Sequence, residues 1–173
     1  MGNATKSELI KPRPAVSSDV RSARATGTST LEQQVFLELI RVNGVLMRGV
    51  EEVLKSADLS SSQFNVLRIL RGAGADGLAC GEVGGRMITH DPDITRLLDR
   101  LESRGLIARE RQQEDRRVVK TRITAQGSAL LKEMEPPLGA LHKRQFSAIP
   151  NEQLEELAKL LSVLRSKWES PGA

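Results

Sequence analysis

The chain has 173 residues, with 26 Lys+Arg against 22 Asp+Glu, a size that suits one domain or one domain with an extended dimerisation part. No stretch reaches the 18 or more apolar residues of a membrane span, and the two histidines, His90 and His142, lie far apart from each other. With a single cysteine and no Gly-rich phosphate loop or nucleophile elbow, the chain offers little to a metal centre or an enzyme, and no cofactor is expected.

Residues 1–30 are rich in Ser, Thr, Ala and Pro and have almost no apolar periodicity, so they read as a disordered tail. No apolar core follows the early lysine, which argues against a signal peptide. Its five Lys/Arg and two Asp/Glu could brush phosphates or do nothing specific. Over residues 31–56, Leu31, Val35, Leu39, Val42, Leu46, Val50, Val53 and Leu54 follow a rhythm near 3.5 residues, which predicts a long helix. Gly44 and Gly49 either weaken it or allow a partner to approach. Ser60 and Gln63 have capping-box spacing and open a helix carrying Phe64, Leu67 and Leu70.

The next helix, Cys80-Gly-Glu-Val-Gly-Gly-Arg-Met87, holds three glycines. Each interior glycine costs on the order of 1 kcal/mol relative to alanine, so a short, easily frayed helix is expected. Cys80 is either a small packing residue at a helix start or a redox-sensitive thiol. The turn that follows, Met87 to Pro92, is polar, and Thr89 and His90 in it either cap and solvate the turn or make a contact outside the chain. Asp91 and Pro92 then supply an N-cap and a first helical position. Ile94, Leu97, Leu98 and Leu101 form one apolar face, and Gly105 supplies the stop. Arg96, Asp99 and Pro92 point away from that face, with Thr95 and Arg100 on its flanks. An ordinary surface helix also carries exposed arginines, but arginine suits a forked contact with guanine O6 and N7.

Leu106 and Ile107 open a run that continues to Arg111. In residues 118–123 Val119, Thr121 and Ile123 alternate with Lys120 and Arg122. The polar stretch 112–117 between them makes a β-hairpin with arginines at or just past its tip. Such a tip is narrow enough for a minor groove, where an arginine gains from the negative potential; a solvated charged loop is the alternative. Asp115 could hold Arg117 in a fixed pose. From Arg86 to Arg122 there are ten Lys/Arg and seven Asp/Glu, a patterned surface rather than a basic block. Aromatics are scarce, being Phe36, Phe64, Phe146 and Trp168. Single-stranded nucleic acid usually requires stacking platforms, so duplex DNA is the better partner.

Thr124 caps a helix that buries Leu130, Leu131 and Met134; Pro136-Pro137 is expected to break or kink it before it resumes through Leu138, Leu141 and Phe146. Asn151 is expected to cap the last helix, with Leu154, Leu157, Leu160, Leu161, Leu164 and Trp168 in one stripe. The two terminal stripes either pack on each other within one chain or meet a second copy.

Residues 59–127 resemble the winged helix-turn-helix of the MarR family of bacterial transcription regulators. The likeness rests on TRLLDRLESRGLIARE (95–110), EDRRVVKTRIT (114–124) and the closing Ala125-Gln126-Gly127, and extends upstream through SSSQFNVLRIL (60–70). It implies a mainly α fold with a small β-hairpin wing. The expected regions are a tail (1–30), a winged helix-turn-helix (57–124) and dimerisation helices (31–56 and 125–173). It also implies a homodimer on pseudo-palindromic double-stranded DNA, by default a repressor and in many members released by a small aromatic or phenolic effector. The DNA-facing set is then Thr89, His90, Pro92, Asp93, Thr95, Arg96, Arg100, Asp115, Arg116 and Arg117. Of these, Arg96 and Thr95 meet base edges, Arg100 meets phosphate, and Arg117 the minor groove with Asp115 as its positioner and Arg116 as a phosphate contact or substitute. A single cysteine, no signal segment and a DNA partner point to the cytoplasm. The runner-up is a dimeric winged-helix protein-interaction module that no longer binds DNA.

Overall fold

The structure, a computed structural model, describes residues 30–88, 93–111 and 119–169. The tail expected at the N-terminus therefore lies almost wholly outside the described residues. Contacts divide the chain at Leu39/Ile40. The first helix, α1 (Leu31–Lys55), begins at Thr30, whose backbone and side chain exchange hydrogen bonds with Gln33. Of its apolar stripe only Leu54 is buried; Leu31, Val35 and Val42 are exposed.

Helix α2 (Ser61–Ala73) starts where the capping box predicts. The Ser60 side chain accepts from Gln63 N and the Gln63 side chain from Ser60 N, at 3.1 and 2.9 Å. It buries Val66, Leu67 and Leu70, with Phe64 only half-buried. A turn of 3-10 helix (Gly74–Asp76) and Gly77 lead into β1 (Leu78–Ala79), a strand not anticipated from the pattern. At Gly77, φ is +62° and an added Cβ would lie 2.6 Å from the Thr121 carbonyl oxygen, so this close approach of two backbones admits only glycine. Helix α3 (Cys80–Gly85) is six residues long, as its glycines suggest. Glu82 compensates by accepting a hydrogen bond from Ala79 N at 2.6 Å.

Helix α4 (Ile94–Ser103) turns Leu97, Leu98 and Leu101 inward. It stops at Gly105, with φ +70°, because a left-handed residue ends the ladder of carbonyl acceptors. Strands β2 (Ile107–Arg111) and β3 (Val119–Ile123) pair antiparallel, Ile107 facing Ile123 and Arg111 facing Val119. With β1 on the other edge of β3 the sheet runs β1-β3-β2. The expected alternation survives at Thr121, which is buried on the central strand, whereas Val119 is exposed.

The two C-terminal helices differ from expectation. Helix α5 (Ala125–Gln145) passes through Pro136 and Pro137 without a break. The carbonyls these prolines leave without donors belong to Lys132 and Glu133, whose residues are exposed rather than part of the core. Meanwhile Leu131, Met134, Leu138 and Leu141 keep one continuous face buried. Helix α6 (Asn151–Glu169) includes Asn151 as its first residue rather than its cap, and Leu154 N bonds to the Pro150 carbonyl. Its stripe lies open, with Leu160, Leu161, Leu164 and Trp168 all exposed.

One core joins α2, α4 and α5 to the sheet. Val66, Leu67, Leu70, Leu98, Leu101 and Leu131 are fully buried in it. Each such side chain stabilises the fold by about 1.5–3 kcal/mol through removal of apolar surface from water. No helix among the described residues is long and apolar enough to cross a membrane.

Candidate nucleic-acid interface

Burying Leu97, Leu98 and Leu101 leaves the opposite side of α4 to solvent, where Thr95, Arg96, Asp99 and Arg100 are exposed. The helix begins later than Asp91-Pro92 suggests. Asp93 is the N-cap, accepting from Arg96 N at 3.4 Å, and its other carboxylate oxygen lies 3.2 Å from Arg96 Nε. Asp93 thus satisfies an orphan donor of the first turn and steadies the arginine above it. Arg96 remains 78% exposed, a guanidinium presented rather than consumed. Thr95 sits on the same turn, its hydroxyl 4.0 Å from the half-buried Cys80 sulfur.

Arg100, one turn further, lies beside Lys55, Ser103 and Arg104 at the rim of an open cleft. Of the residues expected to face DNA, Asp93, Thr95 and Arg96 lie at the N-terminal end of α4 and Arg100 in its last turn, all exposed. Thr89, His90, Pro92, Asp115, Arg116 and Arg117 lie outside the described residues. Among the described residues, no group of three or more His, Cys, Asp or Glu side chains is placed to hold a metal ion.

Several long-range ties around this surface escaped the sequence reading. Arg109, on β2, reaches the carboxylates of Asp99 and Glu102 on α4. Lys120, on β3, donates to Glu82 of α3 at 3.1 Å, and hydrogen bonds from Ala79 N and then from Lys120 hold that carboxyl below its usual range. Arg122 donates to the Ala75 carbonyl and to Glu110. Asn65 of α2 accepts from Ile88 N at 3.0 Å, fixing the segment that leads to α4. Arg109 and Glu102 are seven residues apart on different elements, and the other pairs lie further apart, beyond any periodicity. The only clue was a set of charged residues on the strands with no assigned task.

Two helices joined by a short segment, followed by an antiparallel hairpin whose sheet packs on the second of them, define a winged helix-turn-helix protein. The MarR family model matches residues 59–119. Over 135 residues the chain is 30% identical to the HTH-type transcriptional repressor IacR of Pseudomonas putida, covering 78% of this chain and 80% of that protein. Similarity to the crystal structure of a MarR transcription factor from Planctomyces limnophilus reaches 38% identity with a TM-score of 0.61, over 78% of this chain and 98% of that one. The chain belongs to the MarR family and is a transcription regulator, not an enzyme. Its fold is also shared with BpsR of Bordetella bronchiseptica, at 24% identity and a TM-score of 0.69, over 76% and 98% of the two chains. DNA binding by BpsR is regulated by 6-hydroxynicotinic acid.

Proposed function

We propose that the chain is a homodimeric, cytoplasmic repressor that reads an inverted repeat in duplex DNA. The observation that carries this reading is the exposed, Asp93-steadied Arg96 on the first turn of α4. A guanidinium there meets base edges in a major groove, with Thr95 beside it and Arg100 on phosphate. In this reading the polar stretch 112–117, with Asp115, Arg116 and Arg117, meets the adjacent minor groove, and Thr89, His90 and Pro92 are further DNA contacts. The exposed apolar residues of α1 and α6 supply a dimer interface, since a chain in water gains by covering such stripes. Two-fold symmetry then sets the two reading helices one DNA turn, about 34–36 Å, apart. On this reading residues 57–124 are the DNA-binding region and 31–56 with 125–173 the dimerisation region.

A small aromatic or phenolic anion is the effector class we assign. A cleft of about 430 Å³ opens between α2 and Ile88, lined by Asn65, Arg68, Ile69, Arg71, Gly72 and Ile88. Arg68 offers a cation to a carboxylate there. A ligand competing for the Asn65 carbonyl would release Ile88 and loosen the approach to α4.

Selection of bound duplexes from a random pool, with Arg96→Ala run in parallel, tests the DNA reading. An enriched inverted repeat that blurs in the variant supports it. No enrichment at low salt from a folded dimer favours a protein-interaction module. Salicylate titrated into the selected complex tests the effector, and unchanged binding at saturating ligand removes that class.

A further inference from the structure

The reading side of α4 carries a feature that DNA recognition by itself does not call for. Asp99 and Glu102, one turn apart, put two carboxylates on a helix meant to approach phosphates. Arg109 of β2 answers both. Its Nε donates to Glu102 Oε2 at 2.7 Å, its Nη2 to Asp99 Oδ1 at 2.5 Å and also to Glu102, and its backbone N donates to Glu102 Oε1 at 3.3 Å. The side chain is only 26% exposed, and its guanidinium is held above its ordinary pKa, chiefly by the hydrogen bond to Glu102.

The geometry does something that the core does not. Leu97, Leu98 and Leu101 hold α4 down, but apolar burial is non-directional and tolerates a small roll about the helix axis. A planar fork gripping two points one turn apart does not tolerate that roll, because charge-assisted hydrogen bonds weaken steeply with angle. The same residue sits on β2, two positions before Arg111, where the strand leaves for the wing segment. Roll of the helix and position of strand β2 therefore meet in one side chain.

We infer that Arg109 is a positioning residue for DNA reading: it locks the roll of α4 against the wing strand, so that Arg96 and the wing engage neighbouring grooves of one duplex together. This rests on the proposed DNA-reading function. Two contacts made together act as one intramolecular pair, and that advantage disappears when the geometry slips.

The test compares wild type, Arg109→Gln and Arg109→Lys on the selected inverted repeat and on a scrambled duplex, with thermal melts to confirm folding. Arg109→Gln is expected to lose roughly tenfold or more in the ratio of specific to scrambled affinity, with scrambled binding little changed. Arg109→Lys, which keeps the charge but not the fork, is expected to lose most of that ratio too. An unchanged ratio in Arg109→Gln overturns the inference. So does an equal loss on both duplexes that is repaired by adding Asp99→Asn and Glu102→Gln, because Arg109 would then act only by masking charge. If Arg109→Gln does not fold, Glu102→Gln removes the main anchor from the other side, and a wild-type ratio there overturns the inference as well. A wild type that prefers no duplex defeats the DNA-reading proposal itself; a selective wild type beside an equally selective Arg109→Gln defeats only this one.

Discussion

The guanidinium of Arg104, at the C-terminal cap of α4, donates to the carbonyl oxygen of Ala57 at 2.9 Å and to that of Asp58, some 47 residues earlier in the chain. These carbonyls belong to the turn that closes α1, where Asp58 adopts φ +50°. A left-handed non-glycine residue costs about 1–2 kcal/mol and persists only when its surroundings hold it. The Asp58 carboxylate, 3.8 Å away and 97% exposed, contributes little by comparison. Removing the fork with Arg104→Ala is expected to lower stability by about 1–3 kcal/mol, because the carbonyls lose their donor. Asp58→Asn should be close to neutral. Urea titration of both variants checks the pair, and equal losses would place the effect in the ion pair instead.

Gly127 and Gly139 lie in the same helix and should respond in opposite directions. A Cβ at Gly127 would run into the Leu106 carbonyl oxygen and come within 2.9 Å of Ile123, where Thr124 also bonds to Gly105 and Leu106. Gly127→Ala is expected to cost about 1–3 kcal/mol or more by overpacking. Nothing lies within 4 Å of a Cβ at Gly139, so Gly139→Ala should stabilise by about 0.4–1 kcal/mol through reduced freedom of the unfolded chain. Thermal melts of the two alanine variants read the sign directly.

If the proposed DNA reading holds, Arg96→Ala is expected to cost about 1–3 kcal/mol of operator affinity and to blur one base position. Asp93→Ala should lower stability by about 1 kcal/mol through loss of the cap, while freeing Arg96 and broadening the selected sequence. Fluorescence anisotropy on single-base operator variants separates these outcomes; identical profiles for all three proteins would remove α4 from sequence reading.

Glu82 makes the acid limb of stability informative. The hydrogen bonds from Ala79 N and Lys120 depress its folded-state pKa. Its contribution is therefore fully present above the unfolded carboxyl pKa and disappears as pH falls through the lower folded value. Wild type should exceed Glu82→Gln in stability near neutrality, and the gap should close at acidic pH. A gap that is constant with pH would mean the carboxylate charge plays no part.

In the core, Leu98→Ala removes a fully buried side chain of α4 and is expected to cost about 2–5 kcal/mol. Chemical denaturation measures it directly. A loss below about 1 kcal/mol would mean that the helix is not held by this face.

The sequence by itself determined what local chemistry specifies. The reciprocal caps at Ser60 and Gln63, the Leu97–Leu98–Leu101 face, the stop at Gly105 and the two strands of the hairpin each involve residues close enough in sequence for their spacing to reveal them. Tertiary structure decided the rest. Leu78 and Ala79 became a strand only because β3 offered an edge, and α4 began at Asp93 rather than Asp91, where the cap and the ion pair to Arg96 coincide. Helix α5 carried Pro136 and Pro137 because burial on one face outweighed two missing hydrogen bonds on the other. The partners of Arg104 and Arg109 were invisible beforehand for the same reason: a guanidinium has no periodicity, and which carboxylate or carbonyl it meets depends on how distant segments pack.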